Sequence, residues 1–366
     1  MTKWLSHVRS KLFAYLEAIR PYTIFHPGTL ALAAGAVASD GHLSVERGVL
    51  LWLTPTVGWI AGLATSDYAD RALDRLEKPH RPIPSGRIGE REAFWWMVIA
   101  ILVGLILALL LSWVTLLIAL AVLGLGIGYA RFFKARGIWG HLDRGVLAAL
   151  TVAFGSCAAT GGLPPVILPL LTVFFLHDTF TNLLGAIRDV EGDRAAGYRT
   201  LPVQVGLPWA LTVACSLLLG WGFVLAIVIR ARHWTWLSIV LAFSACMLAV
   251  SAFVVATWSS FHQQPGHLGH MSLRRRLALR AHKFLVVERL LLSNAFLATS
   301  VPIEISMALV VLTVSLTLFA QQFLRDRYEF ASDENRTERT GGPFEAEEER
   351  HGPTGVHPRT AGSQGA

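Results

Sequence analysis

Two segments of this 366-residue chain gather carboxylates at helical spacing. In TSDYADRALDRLEKPHRPIPSGR, Ser66, Asp70 and Asp74 recur every fourth residue, and Asp67 lies three before Asp70. On a helix these side chains share one face. In GAIRDVEGDRAAGYRTLP, Asp189 and Asp193 are again four apart, with Glu191 pointing elsewhere. Carboxylates placed so closely repel one another and need a cation. A small set of hard oxygen ligands suits Mg²⁺, which keeps waters and shares its shell with substrate phosphate. The arrangement predicts two Mg²⁺ ions clamping a diphosphate, with Lys78, Arg81, Lys134 and Arg199 neutralising the remaining phosphate charge. Such a clamp assists departure of diphosphate from an allylic carbon, because metals stabilise the charge that develops on the leaving oxygens.

Asp beside Arg at a helix end, as in Asp70-Arg71, Asp74-Arg75 and Asp193-Arg194, can also be a solvated ion-pair face. Two such clusters, each interleaved with basic residues and each following an apolar segment on the same side, argue for a shared site instead.

The elements that must hold these residues are membrane helices. The chain is 53% hydrophobic and 16% charged, against roughly 25% charge in an ordinary soluble domain. The net charge of +7 sits in short stretches between long apolar runs, the pattern of membrane topology rather than of nucleic-acid binding. Cys157, Cys215 and Cys246 stand alone in apolar segments and signal neither a zinc site nor a disulfide framework. Residues 1–22 space Trp4, Val8, Leu12, Leu16 and Ile19 at helical intervals and read as an amphipathic helix lying on the membrane surface.

Apolar segments of spanning length fall near 23–39, 48–66, 93–112, 114–131, 144–162, 165–185, 209–229, 234–257 and 303–324, so an all-α bundle of about nine transmembrane helices is expected. The run from Ala93 to Ala130 is too long for one crossing and is predicted to fold back near Ser112. Segment 284–301 would make a tenth span. Its adjacent Glu288 and Arg289 cannot share one helix face, which suggests a shallow helix near the interface. Basic residues crowd the loops after the second, fourth and sixth spans, and the loop at about 258–283 carries Arg274, Arg275, Arg276, Arg280 and Lys283. All are predicted to face the cytoplasm. Residues 23–325 form the membrane domain, and 331–366 read as a disordered polar tail.

SDYADRALDRLEKPHRPIPSG resembles the first motif of the UbiA superfamily of intramembrane prenyltransferases, N-D-x-x-D-x-x-x-D followed by a K-P-x-R-P-x-P-S-G run. RDVEGDRAAGYRTLPVQVG is similar to its second motif, D-x-x-x-D before G-x-x-T-L-P. The resemblance covers roughly residues 10–325. It implies helices around a central cavity with a cytoplasmic cap, in which Asp70, Asp74, Asp189 and Asp193 bind Mg²⁺ and a prenyl diphosphate and Asp67 assists. It also implies phosphate contacts from Arg81, Tyr129 and Lys134, and a cavity-facing Asn182. Ser66 departs from the family's Asn; it keeps a hydroxyl but lacks the amide donor. Segment 258–301 matches no part of the family pattern.

The expected reaction is Mg²⁺-dependent prenyl transfer in the cell membrane to a lipophilic acceptor, expected to be a phenolic or hydroxybenzoate-like aromatic. Glyceryl phosphate and other acceptors remain compatible with the second motif. The Ser66 change motivates a second reading, a terpene cyclase acting without an acceptor. A transporter using the carboxylates for ions is a third, against which the acids lie at span ends rather than at mid-bilayer.

Overall fold

A computed structural model describes residues 2–195, 197–261 and 273–325. Among them are thirteen α-helices: α1 (Thr2–Ile19), α2 (Phe25–Ala38), α3 (Val45–Ala69), α4 (Arg71–Glu77), α5 (Glu90–Leu111), α6 (Trp113–Gly128), α7 (Trp139–Thr160), α8 (Leu168–Ala195), α9 (Leu201–Val205), α10 (Leu207–Ala231), α11 (Trp236–Phe261), α12 (Leu273–Leu297) and α13 (Ile303–Ala320). Among the described residues eight helices are long and apolar enough to cross a membrane, beginning with α3 and ending with α13, and the chain is a multi-pass membrane protein. The tail at 331–366 and most of the loop before α12 lie outside the described residues.

Two expected spans turn out differently. The first is only 14 residues of helix, about 21 Å at 1.5 Å per residue, and α2 is buried among its neighbours rather than facing lipid. The segment at 284–301 falls mostly in the 25-residue α12, which packs closely on α11 and also on α2. Glu288 is fully buried there, against the other helices of the bundle rather than on its surface. The fold-back at Ser112 is sharp. Its backbone is extended, and its hydroxyl caps α6 by accepting the Thr115 N–H at 3.1 Å.

The bundle is organised around α2, α7 and α8. Helix α7 packs on both α2 and α8, α3 packs on α2 and α5, and α12 closes the ring against α2 and α11. Apolar surface gives membrane helices little reason to associate, so close backbone approach matters. A Cβ at Gly155 of α7 would lie 2.1 Å from the Ala31 carbonyl of α2, and one at Gly145 would lie 2.6 Å from the Phe175 carbonyl of α8. Only glycine permits those crossings. The chief core runs through Leu30, Val152, Phe174, Phe180, Trp221 and Phe296.

Candidate functional site

The first acidic segment forms where α3 runs out of apolar residues. Asp70 ends α3, donating its N–H to the Ser66 carbonyl at 2.8 Å, and at once precedes the seven-residue α4 that carries Asp74. Asp67 and Asp74 are buried. Arg20, in the break between α1 and α2, donates to Asp67. Arg81, from the Pro-rich turn after α4, donates to Asp74 at 2.7 Å. Arg20 holds a left-handed backbone at φ +50°, a conformation non-glycine residues seldom adopt.

The second segment is the end of α8. Arg188 grips its neighbour Asp189 with two hydrogen bonds, of 2.7 and 2.5 Å. Asp193 accepts from the Thr200 hydroxyl at 3.1 Å. Thr200 is placed by a small parallel pairing in which strand β2 (Arg199–Thr200) lies beside β1 (Arg136–Gly137). This pairing ties the loop after α6 to the loop after α8.

It also delivers Lys134, which draws the two clusters together. Lys134 lies within electrostatic reach of Asp70 from the first cluster and Asp193 from the second, and its ammonium sits 5.1 Å from the centre of the Tyr198 ring. Asp189 in turn feels Lys78 as well as Lys134. Burial works to lower the Lys134 pKa, but Asp70, the Tyr129 and Tyr198 phenols and Asp193 together hold it above the usual lysine range. Two helix ends far apart in sequence thus share one cationic centre.

Tyr129 opens a short π-helical turn at the end of α6. Its hydroxyl lies 3.4 Å from the Asn182 amide nitrogen, and the Asn182 oxygen lies 2.7 Å from His141 Nδ1. Asn182 is seven residues, about two turns, before Asp189, so this contact lies deeper in the bundle.

Of the residues singled out in the sequence, Asp70, Asp189 and Asp193 lie within electrostatic reach of Lys134, and Asp189 also of Lys78, while Asp74 on α4 is held by Arg81. Arg199 does not join them: its backbone is used in the strand pairing, its carbonyl accepts from Gln204 at 2.9 Å, and its side chain is exposed. Tyr198 occupies the place beside Lys134. Ser66 is half-buried within α3 and its carbonyl serves the helix end. Sequence reasoning missed Arg20 and Arg188, the counter-ions of Asp67 and Asp189. Arg20 follows an amphipathic helix whose own acid is Glu17, and its partner Asp67 lies 47 residues away. Arg188 was visible as part of the RD dipeptide.

Among the described residues no three His, Cys, Asp or Glu side chains form a ready-made metal cage. The donor set nevertheless fits Mg²⁺. All the available ligands are carboxylate oxygens presented in twos, and Mg²⁺ is usually held by one or two carboxylates with water and substrate phosphate completing the shell.

A family model described as the UbiA prenyltransferase family matches residues 28–264. The digeranylgeranylglyceryl phosphate synthase of Pyrococcus horikoshii is 33% identical over 193 residues, covering 53% of this chain and 69% of that protein. The synthase of the same name from Natronomonas pharaonis is 31% identical over 255 residues, covering 67% and 87%. Among solved structures, a UbiA homologue from Aeropyrum pernix K1 superposes with a TM-score of 0.61 at 18% identity, covering 74% of this chain and 96% of the other. A UbiA homologue from Archaeoglobus fulgidus bound to GPP and Mg²⁺ gives 0.55 at 19%, covering 76% and 99%. At those identities the structures speak for the fold alone.

Proposed function

Because this chain belongs to the UbiA prenyltransferase family, we propose that it takes an allylic prenyl diphosphate at the joined ends of α3 and α8 and transfers the prenyl group to the hydroxyl of a glyceryl phosphate lipid. The observation that carries this reading is the meeting of Asp70, Asp189 and Asp193 around Lys134. An isolated ion-pair face at either helix end would not need the other.

Asp70, Asp74, Asp189 and Asp193 are the residues that would hold Mg²⁺, which when bound supplies the positive charge that stabilises the departing diphosphate. Lys134 and Lys78 add fixed cations on the diphosphate side. Arg81 and Arg188 orient Asp74 and Asp189, and Arg20 does the same for Asp67, which assists. Tyr129 and Asn182 line the path inward.

An aromatic acceptor finds no support among the relatives, whose name denotes a prenylated glyceryl phosphate as product. The site faces the cytoplasm in this proposal, since the basic loops after α3, α6 and α8 gather on its side. Residues 1–22 would lie along the membrane surface, with Trp4, Val8, Leu12 and Phe13 exposed to it.

The deciding experiment gives detergent-purified protein geranyl, farnesyl or geranylgeranyl diphosphate with Mg²⁺ or EDTA, alongside geranylgeranylglyceryl phosphate or a panel of phenols. Diphosphate release that needs both Mg²⁺ and the glyceryl phosphate establishes the proposal. Release with phenols only would restore the aromatic acceptor, and release with no acceptor would make the protein a cyclase.

A further inference from the structure

A second layer of charge lies deeper in the bundle than the two acid clusters. Asp178 on α8 stands eleven residues before Asp189, and Trp59 on α3 eleven before Asp70, so both are about 16 Å along their helices from the diphosphate end. Arg144 of α7 lies between them. Its guanidinium is 3.4 Å from Asp178 Oδ2, 5.3 Å from the Trp59 ring centre and 5.9 Å from that of Tyr129. Arg289 of α12 approaches the same carboxylate from the other side, 3.1 Å from Oδ1, and donates to the Thr181 hydroxyl.

Two guanidiniums therefore share one buried carboxylate. Glu288 is engaged by His177 at 2.8 Å, and Asp143, in electrostatic reach of Arg144, forms no ion pair with it among the described residues. Arg289 Nε is buried without a hydrogen-bond partner. A guanidinium has five N–H donors in a planar fork, so the pair retains unused donors. A guanidinium donor left unpartnered inside a membrane bundle is costly and usually marks a ligand site. A hydrocarbon tail gains nothing beside it, whereas an anion gains charge-assisted hydrogen bonds.

We propose that Arg144 and Arg289, oriented by their shared Asp178, recognise the anionic group of the acceptor, a phosphate monoester or a carboxylate. The identity of the ligand as acceptor rests on the prenyl-transfer reading above. Trp59 stacked near Arg144 and Thr181 bonded to Arg289 hold the two forks in place. The Tyr129–Asn182 contact lies between this layer and Lys134, so the acceptor would extend from the arginines toward the diphosphate.

The test measures equilibrium binding in detergent, apart from turnover, for two matched probe pairs. These are geranylgeranylglyceryl phosphate against its dephosphorylated alcohol, and 4-hydroxybenzoate against its methyl ester. Wild type is expected to bind one anionic probe about tenfold or more tighter than its neutral partner, and the pair that shows the preference identifies phosphate or carboxylate as the source. Arg144→Gln and Arg289→Gln are expected to erase that preference while changing the KM for prenyl diphosphate by less than about twofold. Asp178→Asn, which frees both guanidiniums, is expected to strengthen it. A wild type without preference in either pair overturns the proposal and needs no variant to do so. Equal weakening of neutral and anionic probes in the Gln variants also overturns it. Selective binding without turnover would sink the transferase reading and leave the anion site standing.

Discussion

His177 of α8 and Glu288 of α12 face each other at 2.8 Å with at most 1% of either side chain exposed. Next to them, Asp178 and Arg289 make the parallel contact at 3.1 Å. Adjacent residues on each helix thus pair with adjacent residues on the other. This double crossing is how a helix with mean composition too polar for a span sits inside the bundle, and it places α12 against the helix that carries Asp189.

Breaking one partner of that pair leaves the other buried and unanswered. Glu288→Leu is expected to lower stability by about 3–5 kcal/mol, read as a fall in the thermal midpoint of the detergent-solubilised protein. His177→Phe combined with Glu288→Leu should recover much of the loss, because a well-packed apolar pair avoids the desolvation cost. If the double variant is no more stable than the single, the pair does not act as a unit.

Asp70→Ala and Asp189→Ala are expected to reduce prenyl transfer by more than about a hundredfold while the thermal midpoint stays close to wild type. Both positions lie at helix ends where a shorter side chain leaves no cavity in the core. Substantial activity in either variant would refute their assignment to the diphosphate end.

Lys134 should stay protonated well into alkaline conditions. A lysine pKa raised on folding contributes stability that is fully present below the unfolded value and is lost only as pH rises through the folded value. Between neutral pH and the ordinary lysine range, neither stability nor KM for prenyl diphosphate should change on its account. Lys134→Gln is expected to raise that KM about tenfold or more, and a pH profile of KM that steps near neutrality in wild type but not in the variant would contradict the charged-lysine role.

Ser112→Ala removes the cap that starts α6 after the fold-back, and a cost of about 1 kcal/mol is expected in a thermal or denaturant melt. Thr115 would keep its own hydroxyl bond to the Ala108 carbonyl at 2.7 Å, so the hairpin should survive. A neutral effect would mean that the turn is held by that bond alone.

What the sequence determined by itself was chemistry tied to local spacing. Asp189 and Asp193 could be matched within one helix, and Asp70 and Asp74 across the one-residue break between α3 and α4, since residues four apart on helical backbone are neighbours whatever the rest of the chain does. The break at Ser112 followed from the length of helix a bilayer accepts. The tertiary structure decided what sequence spacing leaves open. Whether the two clusters meet depends on the β1–β2 pairing that carries Lys134 across, and a two-residue strand leaves no periodic trace. Arg199 was misplaced for the same reason: in a strand, neighbours point to opposite sides, so Thr200 is buried against Asp193 while Arg199 is exposed. Glu288 and Arg289 looked incompatible with one buried face because only one helix was in view. Their partners, His177 and Asp178, lie more than a hundred residues away, and long-range pairing between buried charges cannot be read from either segment alone.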